Sequence, residues 1–211
     1  TVHKADYPGN RLLSLTFDQL PDLGIENTTR EITFRGTKLV VGQNTRLIDY
    51  YSDYPLCEMK VYFSTLLSGE LLNSLDNYFT PLFLGMTNKQ KVATLLEFIQ
   101  KAFPYQTDKE QFGREKYFFP DELFFYPFSD CEDRSVLFTT LVQHYTSLKC
   151  VGLDYPGHVN TAVCFQEETR GDYVMVNGLK YVVCDPTYIN APIGYLPDEF
   201  KEFTPKIITF D

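Results

Sequence analysis

The chain contains no tryptophan, only three histidines, and five cysteines with no Cys-x-x-Cys pair among them. No two histidines stand at ligand spacing either, which argues against a zinc site. No glycine-rich phosphate loop and no acidic loop with EF-hand spacing occurs. The expectation is therefore a protein with no cofactor and no metal. No apolar run approaches the length of a membrane span, so direct membrane insertion is not expected, and no signal peptide is visible. Basic residues are also scarce, 19 against 28 acidic ones, for a formal net charge of −9. That balance repels nucleic acid and anionic membrane surfaces. The chain starts at Thr1 and not at methionine, which points to a processed product or a piece of a larger polypeptide.

What is present suffices for a core. With 211 residues, 44% of them hydrophobic and 16% aromatic, the chain can bury one domain, or one domain and a small appendage. Residues 1–66 read as a β-rich accessory segment. Glu31, Ile32, Thr33 and Phe34, then Arg35 and Gly36, then Lys38 to Val41 form a hairpin pattern. Residues 46–51 and 58–65 alternate as further strands would. Residues 67–211 form the second unit. From Ser68, Leu71, Leu72, Leu75 and Phe79 make a helical stripe expected to end before Pro81. A second helix is capped near Thr87 or Asn88, carries Val92, Leu95, Leu96, Ile99 and Phe103, and stops before Pro104. Residues 103–128 are rich in phenylalanine and tyrosine and lack a period, so they form a loop that packs. Phe118, Phe119, Phe124, Phe125 and Tyr126 would seal the core or wall a groove.

The chemistry concentrates further on. Cys131 lies in the run Ser129, Asp130, Cys131, Glu132, Asp133, Arg134, where a loop gives way to a helix marked by Val136, Leu137, Leu141, Val142 and Tyr145. A thiol with pKa of about 8.5 can be lowered to roughly 3.5–7.5 by a helix N-terminus and an imidazolium. Glu132 and Asp133 suit the helix dipole but oppose a thiolate, so His158 must supply positive charge. His158 opens a strand after Pro156 and Gly157, and Asp185 closes another before Pro186. Taken singly, these two fit turn positions as well. Taken together with Cys131, in this order at element ends, they describe a thiol triad in which Asp185 orients the ring. His3 sits near the terminus and His144 late on the Cys131 helix, so neither reaches the sulfur. Cys57, Cys150, Cys164 and Cys184 read as structural; the four could pair or remain reduced.

One geometric condition follows. Strands are expected at 149–153, 158–165, 172–176 and 179–184, with Asn177 and Gly178 as a hairpin turn. In a plain meander Asp185 would lie at the far end from His158. The triad needs the strand ending at Asp185 to lie antiparallel beside the strand beginning at His158, with residues 167–178 projecting as an excursion.

The runs Asp130, Cys131, Glu132, Asp133, then Gly157, His158, Val159, then Asp185, Pro186, Thr187 resemble the nucleophile, histidine and aspartate motifs of the transglutaminase-like superfamily, a branch of the papain-like thiol fold. The resemblance covers roughly residues 88–190. It implies an α+β core in which a helix bearing the cysteine packs on an antiparallel sheet bearing histidine and aspartate. It also implies a Cys131, His158, Asp185 triad that acts on peptide or side-chain amides through a thioester. Whether the acyl group passes to water or to an amine stays open. Ser129 takes the place of the usual small residue before the Asp-Cys pair, and no aromatic follows the histidine motif. With no tryptophan, the oxyanion role would pass to Gln111, Tyr126 or the backbone amide of Cys131. This compact motif set resembles bacterial secreted and envelope members, which implies export and a peptide or protein substrate. The competing class is a catalytically silent binding or scaffolding domain of a larger cell-envelope protein. A third, a redox protein pairing Cys131 with another cysteine, lacks a neighbouring thiol in sequence.

Overall fold

The computed structural model describes residue 24 and residues 26–210. Residues 1–23 and residue 25 of the accessory segment, His3 among them, lie outside the described residues. The fold is mixed α+β, with two antiparallel sheets and a set of helices. Strands β1 (Asn27–Phe34) and β2 (Thr37–Asn44) form the expected hairpin, in register from Asn27↔Asn44 to Phe34↔Thr37. Its turn residues Arg35 and Gly36 both have positive φ, 49° and 77°, which matches the right-handed twist of the strands. Ile32, Phe34, Leu39 and Val41 point inward and join the same core as the helices that follow.

Two stretches expected as strands are helices instead. Residues 46–51 fall in α1 (Thr45–Ser52), where the Asn44 side chain accepts the Arg46 amide at 3.1 Å and so caps the first turn. Residues 58–65 hold α2 (Met59–Phe63), which buries Tyr62 and Phe63. Two adjacent aromatics facing one core is a helical demand, since neighbours on a strand would face opposite sides. Helix α3 (Gly69–Leu82) runs one residue past Pro81, because a proline in the final turn removes a single backbone bond. Helix α4 (Asn88–Ala102) starts in a Thr87–Gln90 capping box and ends where Phe103 turns extended before Pro104. The aromatic segment contains the short helix α5 (Asp108–Phe112) and a 3-10 turn at Glu122–Phe124. Phe118, Phe119 and Phe124 are buried in the main core, around a Lys116–Glu122 ion pair of 2.6 Å.

Helix α6 (Cys131–Thr146) is central. Every residue from Asp133 to Val142 is buried, because α4 covers one side and the large sheet the other. Its interior hydroxyls are satisfied locally: Thr139 and Thr140 donate to carbonyls within the helix, and Ser135 donates to Val159 O at 3.0 Å. The sheet runs β5 (Tyr173–Val176), β6 (Leu179–Cys184), β4 (His158–Val163), β3 (Cys150–Tyr155), β7 (Lys206–Ile208), all antiparallel. Alternate residues divide between its faces. Cys150, Val159, Val163 and Cys184 enter the main core, while Val151, Leu153, Ala162 and Val183 form a smaller cluster on the far face. Strand β5 sits at the outer edge, hairpinned to β6 through Asn177 and Gly178 at φ 49° and 78°. It is therefore an excursion, and β6 returns antiparallel beside β4 with Thr161↔Cys184 in register. Gly171 and Gly194 approach so closely that a Cβ on Gly171 would meet the Gly194 Cα at 2.3 Å, which fixes the return of the chain after β6.

Candidate active site

The β4–β6 register decides what meets what. Thr161 opposite Cys184 brings Asp185, one residue on, next to Asn160 and within reach of His158 at the mouth of β4. His158 Nε2 lies 2.7 Å from Asp185 Oδ2, and both side chains are buried. With Nε2 engaged by the carboxylate, Nδ1 is the ring nitrogen left for other chemistry. Asn160 Nδ2 donates to the same oxygen at 3.3 Å, and Asp185 Oδ1 accepts the Thr187 amide at 2.9 Å. The carboxylate is thus held from three directions. The imidazole lies flat on Phe200, with centroids 4.8 Å apart at 19°, and edge-on to Tyr188. Tyr188 and Phe200, from the segment after Asp185, therefore flank the ring.

Cys131 is the first residue of α6, and Asp130 is its N-cap. Asp130 and Asp133 form a capping box in which Asp133 Oδ2 accepts the Asp130 amide at 3.2 Å. Asp133 Oδ1 accepts the Phe118 amide at 2.8 Å, so this residue, expected only to suit the dipole, ties the aromatic segment to the helix start. Arg134 was not singled out in the sequence. Its guanidinium donates to Ser129 Oγ at 3.2 Å, to the Thr187 carbonyl at 3.1 Å and to the Phe103 carbonyl. One buried cation thereby joins the loop before Cys131 to the loop after Asp185. The only local signal was an arginine one turn past the thiol.

Cys131 and His158 line one cavity of ≈340 Å³, together with Tyr105, Asp130, Glu132 and Val159. Asp185 stands behind His158 and does not line it. A larger depression of ≈550 Å³ along β5 holds neither thiol nor imidazole. Cys131 is 6% exposed, and its S–H donates to Glu132 Oε2 at 2.9 Å. Burial pushes the thiol well above its ordinary range, the Glu132 carboxylate pushes further, and the Val159 amide donating to sulfur pulls back. The thiol at rest is neutral.

The cavity wall is acidic. Burial, followed by the charge of Asp133, pushes the Asp130 carboxyl up to about 10, and burial pushes Asp108 up to about 6. Asp108, Asp130 and Asp133 each present an oxygen within 4.8 Å of the others.

Of the expected oxyanion donors, Gln111 faces away. Its amide spans the backbone of Phe128, with Nε2 to O at 3.4 Å and N to Oε1 at 3.3 Å, and it does not line the cavity. Tyr126 is stacked on Phe118 at 4.8 Å and is absent from the lining as well. The Cys131 amide stands in the first turn of α6, where backbone N–H groups lack helical partners. Phe118, Phe119 and Phe124 seal the core and do not wall the cavity; Tyr105 and Tyr117 do so instead. Cys57, Cys131, Cys150, Cys164 and Cys184 are all free thiols. His144 pairs with Asp76 at 3.0 Å, far along α6 from Cys131. Among the described residues no helix is long and apolar enough to cross a membrane.

Compared with known proteins, the chain matches no protein-family model, no curated protein and no solved structure.

Proposed function

We propose that this chain is a thiol-dependent acyl hydrolase or acyltransferase with a papain-like, transglutaminase-like core, acting on peptide or side-chain amides. The observation that carries this reading is the 2.7 Å His158–Asp185 bond set behind a cavity that His158 shares with Cys131. In the reaction, the S–H turns from Glu132 to His158 Nδ1 and gives up its proton as sulfur bonds to the amide carbon. The carbonyl electrons move to oxygen, which faces the Cys131 amide. Collapse expels the amine, which takes the proton from Nδ1 and leaves an acyl thioester. Water or an amine then adds to the thioester, gives a proton to Nδ1, and the sulfur leaves and reclaims it. Asp185 holds the tautomer and stabilises the imidazolium in both halves.

A second reading, a catalytically silent scaffolding domain of a larger cell-envelope protein, is favoured by one observation: the thiol is nearly enclosed and hydrogen-bonded to a carboxylate. Mixing the protein with p-nitrophenyl acetate and mapping the acetyl group by peptide mass spectrometry separates the two. The enzyme reading expects a burst of nitrophenolate matched by acetyl-Cys131, lost in both Cys131→Ser and His158→Ala. Faster turnover on adding methylamine would mark a transferase. A folded wild-type protein that leaves Cys131 unacylated would establish the silent scaffold.

A further inference from the structure

The acidic wall beside Cys131 is more than a scatter of surface charge. Asp108 opens α5, and Asp130 and Asp133 open α6, yet each offers an oxygen within 4.8 Å of the others, and all three residues are buried. Two oxygens on opposite sides of a cation at about 2.4 Å lie about 4.8 Å apart, so the trio fits inside one coordination sphere. A second observation points the same way. Asp130 is 6% exposed, and its Oδ1 is sealed from solvent with no N–H or O–H donor facing it, while its carboxyl meets that of Glu132 within hydrogen-bond reach; acidic groups so placed need a proton or a cation between them.

The nearby cations are committed elsewhere. Lys116 is paired with Glu122 at 2.6 Å, and Arg134 is spent on Ser129 and two backbone carbonyls. Lys109 reaches the cavity rim but is exposed. Asp108 and Asp130 both line the Cys131 cavity, with Glu115 and Glu132 on the same lining, so an ion has an entry path and further oxygens.

We propose that Asp108, Asp130 and Asp133 bind one hard divalent cation, entered from the cavity that holds Cys131. An all-oxygen donor set selects the calcium and magnesium class over softer metals. Calcium is the better fit, because the Lys116, Phe118 and Asp130 amides already fix the Asp108 and Asp133 carboxylates, and calcium tolerates an irregular oxygen set where magnesium demands a near-ideal octahedron. The N-terminal dipole of α6 opposes a cation, which weakens binding relative to the same carboxylates elsewhere. The sequence missed the site because no local spacing links Asp108 to the other two. The inference stands on carboxylate geometry and is read by binding, so it does not share the fate of the thiol chemistry.

The test is a terbium titration of the EDTA-treated chain with tyrosine excitation, since Tyr105 and Tyr117 line the cavity and no tryptophan competes. Expected is luminescence that saturates at one ion per chain, is displaced by CaCl2 more readily than by MgCl2, and accompanies a CaCl2-dependent rise in Tm. Asp108→Asn and Asp130→Asn should each weaken calcium about tenfold or more by removing a charged ligand. Both keep the local fold, since asparagine still accepts the Lys116 amide at 108 and still caps a helix at 130. Luminescence that never saturates, or that survives both substitutions unchanged, would overturn the site and assign the signal to ions spread over the acidic surface. If neither variant folds, the wild-type titration decides alone: without one saturable, calcium-displaced site the proposal fails.

Discussion

Replacing Glu132 by glutamine should make Cys131 more reactive. The carboxylate accepts the thiol proton at 2.9 Å, so ionising the sulfur sets two negative charges side by side. At that separation their repulsion is about 1.4 kcal/mol if water screens fully and about 5.7 kcal/mol at an effective dielectric of about 20. The ions would move apart once both are charged, so the lower figure governs. It corresponds to roughly tenfold more thiolate at a fixed pH below the thiol's pKa. A more acidic thiolate is a weaker nucleophile by about half that logarithm, which leaves alkylation about threefold faster at minimum. The assay is iodoacetamide labelling from pH 6 to 10, read by peptide mass spectrometry with Cys57 as the reference in each tube. In the wild type, labelling of Cys131 should still be climbing at pH values where ordinary thiols have levelled off, because burial and Glu132 both raise it. Glu132→Gln should bring the rise to lower pH. A Cys131 rate unchanged or slower in the variant, with Cys57 constant, would refute the claim that this carboxylate holds the thiol neutral.

Asp185→Asn should leave Tm within a few degrees but cut the nitrophenyl acetate burst by about 10²–10⁴, since an amide cannot hold His158 in the required tautomer; an undiminished burst would remove Asp185 from the triad. Lys116→Met strands the fully buried Glu122 carboxylate and should cost about 3–5 kcal/mol in urea unfolding, with much of the loss regained in the Lys116→Met, Glu122→Gln double variant. Glu97 has its carboxyl held below the ordinary value, first by Arg35 and then by Lys101. Its contribution is therefore present above the unfolded value of about 4.3 and lost as pH falls through the lower folded value. Glu97→Gln should destabilise by about 0.5–1 kcal/mol at neutral pH and by nothing near pH 2 in thermal melts, as befits a partly exposed pair.

The hairpins were legible because turn chemistry is local. Arg35–Gly36 and Asn177–Gly178 each place two positive φ values between alternating runs, and no distant contact can relocate that demand. Capping made the ends of α4 and the start of α6 equally readable. Residues 46–51 and 58–65 misled because segments of eight residues or fewer satisfy a strand period and a helix period alike. What broke the tie was tertiary: Tyr62 and Phe63 are wanted on one side, by a core that includes Phe119 and Phe210. The amphipathic stripe drawn on α6 was too narrow for the same reason, since a helix covered on both sides buries its hydroxyl and charged residues as well.

The sequence alone determined which side chains of thiol chemistry exist and at which element ends they stand, because caps, turns and strand starts are written in neighbouring residues. Only the tertiary structure decided that β6 returns beside β4 and places Asp185 on His158, since strand order depends on contacts between segments far apart in the chain. It also decided that Arg134 joins the loop before Cys131 to the loop after Asp185, that Gln111 spends its amide on Phe128, and that Asp108 completes a carboxylate trio with Asp130 and Asp133. Each of these brings together polar groups distant in the chain, which no local pattern registers; the buried ones take whichever partner the packing brings within reach.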